Sequence, residues 1–389
     1  MKLAVVTNIL TPYRIPLFEH FGKATKDCTV LLQAEREDNR QWRLPPITFR
    51  IDVLPGVHLR PSGGEVSIHL NVGVLRRLRR LQPDIVLSGG FAAANVVAYM
   101  YCKLFGKRYV QWGELTLNDG AERSVVRRSI RRLLIAGADG CIASSKAARD
   151  AFVHYGAAAT SVLTASMPFE AEALHARVRA WREKSRSTPG HEPYSGPVLL
   201  SVGQLIPRKG FDDLFAIYRE VIKVRPEVTL LIAGDGPCRQ DYEALVRKEN
   251  WPHVMFLGHL QEDDLARYFA LADLFVFPTR FDAYGLALAE AMAAELPVLS
   301  SVYAAATQDL VEEGTTGFTI EPGNATANAG TILRVLAMSD EQRNAIGRAA
   351  YERVRACDTR PTADRMLRFL RTIVYGVRAN RQGFAQSFQ

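Results

Sequence analysis

The sequence predicts an α/β protein built from two doubly wound parallel-sheet domains. Short apolar runs alternate with longer amphipathic ones along nearly the whole chain, the pattern of βαβ units around a parallel sheet. The pattern restarts after a stretch rich in Ser, Pro, Gly and charge near residue 190. The length, 389 residues with 48% hydrophobic content, is also long for one core and comfortable for two.

In the first half, strands are expected at residues 3–6, 30–33, 85–88, 109–111 and 140–143, each a short apolar run followed by a helical pattern or a turn. The second half repeats this at residues 198–202, 229–233, 254–257, 274–277, 298–300 and 318–320. Between them, residues 170–197 are charged and then carry the run Ser185-Arg186-Ser187-Thr188-Pro189-Gly190, a composition ill suited to a core element. The expected division is a first domain over 1–170, a linker over 171–196, a second domain over 197–360, and a helical tail over 361–389 that packs back on the first domain. No internal repeat is evident.

Residues 1–196 hold 28 Lys+Arg against 17 Asp+Glu, so the chain's net charge of +8 belongs entirely to the first half. Such an imbalance suggests an anionic surface as partner. Nucleic acid is disfavoured, because the basic faces lack interleaved aromatics. Five scattered cysteines without CxxC spacing predict neither a disulfide framework nor a zinc site. The opening apolar run is too short for a secretory signal, and no run reaches the roughly 18 apolar residues of a membrane span. A cytoplasmic protein is expected, peripheral on the inner face of the cell membrane if it meets lipid at all.

Three loops at predicted strand ends in the second half suit a phosphate-bearing ligand. The first, Gly203-Gln204-Leu205-Ile206-Pro207-Arg208-Lys209-Gly210, offers flexible backbone and two cations. In the second, Gly234-Asp235-Gly236, glycines allow close backbone approach. The third follows residues 274–277: Asp282 sits in the loop, and a small-residue helix starts near Tyr284, Gly285 and Leu286 with Glu290 more than a turn inside. The amide end of that helix attracts an anion, and a carboxylate such as Glu290 accepts paired hydrogen bonds from a ribose diol. Three ligand-competent loops at the carboxyl ends of one parallel sheet are what a crevice needs.

In order and spacing, these motifs, with the continuation into Ala289-Glu290-Ala291-Met292-Ala293-Ala294-Glu295-Leu296-Pro297-Val298, resemble the retaining glycosyltransferase family four. That resemblance covers most of residues 197–330. It implies a GT-B fold, two Rossmann-like domains facing across a cleft, and transfer of a hexose-type sugar from UDP or GDP with retained configuration. It also implies that Glu290 binds donor ribose, Lys209 contacts the diphosphate and Asp282 touches the donor sugar. The family usually has Glu at the position of Asp282 and often Arg at that of Gln204; Arg208 is the substitute cation, or else a solvated neighbour of Lys209. The expected catalytic group is therefore Lys209, Glu290, Asp282 and Arg208. Donor contacts are expected from Gly203, Gln204, Gly234, Asp235, Gly236, Tyr284, Gly285 and Leu286. No D-x-D pair occurs, so no metal and no cofactor beyond the donor substrate is expected. A non-catalytic nucleotide-sugar sensor is the alternative.

In the first half, Asn8, Tyr13 and Arg14 follow the first strand, with Thr11 as helix N-cap and Pro12 in the first turn, and Glu114 follows the strand at 109–111. These four are the candidate acceptor contacts. The acceptor is expected to be a glycan, lipid-linked or at the cell surface. Two basic clusters, Arg76-Arg77 with Arg79-Arg80, and the set Arg123, Arg127, Arg128, Arg131 and Arg132, suggest docking on an anionic membrane, the second opposite an apolar arc of Val126, Ile130, Leu133 and Leu134. Oligomeric state is not readable.

Overall fold

The computed structural model describes residues 1–37, 42–59, 68–120, 122, 124–186 and 194–376. These fold into two compact units, residues 1–169 with 359 onward, and residues 170–358. Unit 1 runs β1 (Lys2–Thr7), α1 (Ile15–Ala24), β2 (Asp27–Leu32), β3 (Arg50–Val53), β4 (Gly56–Leu59), β5 (Ile68–Asn71), α2 (Val74–Leu81), β6 (Ile85–Gly89), α3 (Ala93–Leu104), β7 (Arg108–Gly113), α4 (Val125–Ala136), β8 (Gly140–Ala143), α5 (Lys146–His154) and β9 (Val162–Thr164). Its main sheet has the order β3-β2-β1-β6-β7-β8-β9, every neighbour parallel; β4 and β5 form a separate antiparallel hairpin.

Unit 2 runs α6 (Ala171–Arg186), β10 (Val198–Val202), α7 (Phe211–Ile222), β11 (Thr229–Ala233), α8 (Arg239–Lys248), β12 (Val254–Gly258), α9 (Glu262–Leu271), β13 (Leu274–Phe277), α10 (Leu286–Ala293), β14 (Val298–Ser301), α11 (Ala305–Leu310), β15 (Phe318–Ile320), α12 (Ala325–Leu336) and α13 (Asp340–Arg355). Its sheet, β12-β11-β10-β13-β14-β15, is also wholly parallel. The order reverses between β10 and β13, so loops leaving neighbouring strands diverge there and open a crevice. Central strands such as β11 are buried on both faces and read as unbroken Leu/Ile runs.

The stretch expected as a linker departs from the expectation. It opens with the sixteen-residue helix α6, whose Leu174 and Val178 are buried at i, i+4 spacing. Charge at the intervening positions masked this stripe. Residues 187–193 lie outside the described residues. The chain leaves unit 2 at Asp358, and α14 (Thr359–Tyr375) buries Ala363, Met366, Leu367 and Leu370 in the core of unit 1 with Phe18 and Phe21 of α1.

The basic helix α4 also departs from expectation. Its solvent face mixes arginine with apolar side chains: Arg127 and Arg132 are exposed, and Val125, Val126 and Leu133 are 67%, 68% and 48% exposed. Arg131 turns inward, donates to Asp119 and to the Tyr155 hydroxyl (3.2 Å), and lies over the Phe91 ring. Buried pairing for the guanidinium outweighs solvation once Asp119 is brought beside it. Arg123 lies outside the described residues.

Candidate functional site

In unit 2 the three loops converge at the carboxyl ends of β10, β11 and β13, and glycine makes the convergence possible. Gly234 has φ +149°, and a Cβ there would lie 1.9 Å from the Gly203 carbonyl oxygen. Gly210 has φ +71°, with a Cβ position 2.1 Å from the Pro278 oxygen. A side chain is strained at these angles, and its Cβ would strike this backbone. The Thr279 hydroxyl then donates to the Arg208 carbonyl (3.1 Å) and the Arg280 amide donates to the same oxygen (2.9 Å), stitching the β10 and β13 loops together.

Lys209, at the end of a 3-10 turn over Pro207–Lys209, donates from Nζ to the Asp282 carboxylate. Asp282 also accepts the Tyr284 amide through its second oxygen (3.3 Å). Two groups sought separately in the sequence thus form one ion pair. Gly285, φ +102°, is the N-cap of α10 and supplies no capping side chain; the Leu288 amide donates to the Gly285 carbonyl (3.0 Å), and the amides of Leu286 and Ala287 point out of the helix end toward a ligand position. Glu290 lies one turn further, outside any ion pair among the described residues. Burial, reinforced by the like charge of Glu262 and opposed by Arg177, pushes its carboxyl up to about 8.

The other candidates divide. Arg208 donates to the Phe281 carbonyl (3.4 Å), so its side chain reaches the β13 loop. Asp235 accepts the Gly236 amide (2.7 Å) and lies 3.7 Å from Arg239, closing its own turn. Gln204 accepts the Ile206 amide through its carbonyl (2.9 Å), shaping the same loop.

In unit 1, Arg14 and Glu114 meet across 100 residues: Arg14 Nη2 donates to Glu114 Oε1 at 2.8 Å and Nη1 to Thr7 Oγ1 at 3.1 Å. The guanidinium lies 4.8 Å from the Trp112 ring centroid and 5.6 Å from that of Tyr13. Asn8 is exposed, and its carbonyl accepts the Gln33 and Ala34 amides (2.9 Å each), tying the exits of β1 and β2. Pro12 opens the 3-10 turn as expected, but the Thr11 side chain makes no capping bond; the Arg14 amide donates to the Thr11 carbonyl instead (3.0 Å).

Sequence reasoning missed a buried polar network at the same strand ends. Gln33 Nε2 donates to Asn95 Oδ1 (3.1 Å), Asn95 Nδ2 to Ser88 Oγ (2.8 Å), and Gln111 Nε2 to the Gly90 carbonyl (3.0 Å). Ser88 and Gln111 interrupt otherwise apolar strands, which was the available signal.

Residues 184–353 match the family of glycosyl transferases group 1. That match covers less than half of the chain and lies within unit 2. Among curated relatives, the sulfoquinovosyl transferase SQD2 of Arabidopsis thaliana is 32% identical over 236 residues, 60% of this chain and 44% of that protein. A GDP-mannose-dependent monoacylated alpha-(1-6)-phosphatidylinositol monomannoside mannosyltransferase of Corynebacterium glutamicum is 31% identical over 170 residues, 41% of this chain and 43% of that one. Each match therefore spans less than half of the relative's own length. Solved structures of low sequence identity share the fold over nearly the full length. HepE of Anabaena, solved with UDP, superposes with a TM-score of 0.72 at 18% identity, covering 96% of this chain and all of that one. The same protein with UDP-glucose gives 0.69 at 19% identity, with 96% and 100% covered. The architecture is GT-B.

Proposed function

We propose that the protein transfers a hexose-type sugar, with retention, from UDP or GDP to an acceptor. The observation that carries this reading is the convergence of Lys209, Asp282, the uncapped amide end of α10 and Glu290 on one end of one sheet. In it, the diphosphate lies on the first-turn amides of α10 and draws Lys209 from Asp282. Glu290 accepts the ribose hydroxyls and Asp282 turns to the sugar. Charge on the leaving diphosphate is met by Lys209 and by fixed amide dipoles rather than by a metal, since no D-x-D pair is present. The departing phosphate takes the acceptor proton, there being no enzymic nucleophile among these groups; retention rests on the family resemblance. The UDP ligands of the HepE structures support a uridine donor, and the GDP-mannose dependence of the Corynebacterium relative supports guanosine.

The acceptor is proposed to be lipid-linked or a growing cell-surface glycan, met by unit 1 at the inner face of the membrane. Support comes from the surplus of cations in residues 1–196 and from the exposed Val125, Val126 and Leu133, with the exposed Arg127 and Arg132 beside them. Apolar side chains inserted among headgroups with cations at their rim suit an anionic leaflet. Incubating the protein with a panel of UDP- and GDP-sugars and following donor hydrolysis tests the core reading. Turnover of one donor in excess chelator is expected; tight binding without any turnover would favour the sensor instead.

A further inference from the structure

At the opposite pole of unit 2, at the amino ends of the strands, lies a cavity of about 450 Å³, within the range of small-ligand sites. It is walled by α6, by residues 272–273 before β13, by the turn 295–297 between α10 and β14, and by the first half of α13. The floor is unusual. Glu295 has φ +54°, a left-handed conformation that glycine adopts freely and a glutamate does not. Gly347 of α13 presses against this turn so closely that a Cβ would lie 2.1 Å from the Glu295 carbonyl oxygen. The backbone is thereby held, and the Glu295 carboxylate lines the cavity, 3.5 Å from Arg182.

Charge round the cavity is unevenly committed. Glu295 faces Arg182 and Asp340 accepts from Arg343, so two of the four lining acids are matched by guanidinium, while Asp273 accepts the Val198 amide (2.8 Å). Arg348 and Asn344, one turn apart on α13, have no ion pair or side-chain hydrogen bond among the described residues. Arg179 reaches only Glu183, at 3.9 Å and in solvent. Guanidinium donors left over around matched acids attract an anion, and their planar forks fit phosphate oxygens.

We propose that this cavity binds a small phosphate-bearing metabolite, gripped by Arg348 and Arg179 with Asn344 as a neutral donor. The inference does not use the donor reading. It predicts that such a ligand joins α6 to α13, the helices that open and close unit 2, and so raises its resistance to unfolding by mass action. The test is thermal unfolding and calorimetric titration of the full chain with inorganic phosphate and, separately, glucose 6-phosphate, at ionic strength matched with NaCl. Saturable stabilisation is expected, weakened at least tenfold in Arg348→Ala and in Arg179→Ala, retained in Lys209→Ala, with UDP binding unchanged by Arg348→Ala. The tighter of the two probes identifies the ligand's class. A response that survives the double arginine variant, vanishes in Lys209→Ala, or is matched by NaCl overturns the proposal.

Discussion

The candidate donor loops of unit 2 and the Arg14 cluster of unit 1 sit at equivalent ends of similar sheets, yet they are built on opposite principles. In unit 2 Lys209 and Asp282 pair, but demand is left over: α10 begins without a capping side chain, and buried Glu290 makes no ion pair among the described residues. In unit 1 the charges are matched within the protein: Arg14 is paired with Glu114, bonded to Thr7 and stacked on Trp112. A site left unsatisfied by the fold is finished by its ligand, whereas a satisfied one contributes to stability first. The family match falls on the former, which is reasonable if a nucleotide diphosphate imposes one geometry and acceptors impose many.

The sharpest way to break this contrast is Lys209→Ala. Transfer is expected to fall about a hundredfold, about 3 kcal/mol of transition-state stabilisation, with little change in melting temperature. Near-normal kcat/KM, or a collapse of the fold in proportion, would place Lys209 with the structural pairs. Arg14→Ala should do the reverse, costing about 2 kcal/mol of stability by denaturant unfolding through the lost charged hydrogen bonds and ring contact, while calorimetric UDP affinity stays at the wild-type value.

Glu290→Gln sharpens the contrast through pH. A carboxyl raised to about 8 in the fold, against an ordinary value near 4.5, binds its proton more tightly folded than unfolded. Its contribution to stability is therefore intact below the unfolded value and is lost as pH rises through the interval to about 8. The amide variant escapes that loss. It should be more stable than wild type by about 4 kcal/mol at pH 8 and nearly equal at pH 4.5, even as donor binding weakens. Melting curves that differ equally at both pH values would remove the desolvated-carboxylate account. The smallest expected effect concerns the membrane: Arg127→Ser with Arg132→Ser should weaken binding to anionic vesicles by about 1 kcal/mol per cation and leave donor hydrolysis unchanged. Wild-type protein that ignores such vesicles at low salt would favour a soluble acceptor.

All eleven expected strands are present, because each carries its own apolar run or alternation. The strands that went unread, β3, β4, β5 and β9, are three or four residues long, and pairing rather than composition defines them. Lys209, Asp282, Gly285 and Glu290 were legible as candidates because helix-end and glycine chemistry leaves a local mark. That Lys209 and Asp282 pair with each other was not legible, since 73 residues separate them and only the adjacency of β10 and β13 joins them.

Local pattern alone determined the parallel sheets, the glycine positions that let loops touch, and the surplus of positive charge in the first half. Tertiary structure decided which charges that surplus leaves in water. Arg14 and Arg131 look in sequence like any other arginine, and only the arrival of Glu114 and Asp119 makes burying them less costly than hydrating them. The same holds for α6: Leu174 and Val178 are two apolar residues in a charged stretch until α9 and α10 give them a surface to cover. Periodicity and turn chemistry are properties of neighbours along the chain, whereas pairing and burial depend on neighbours in space.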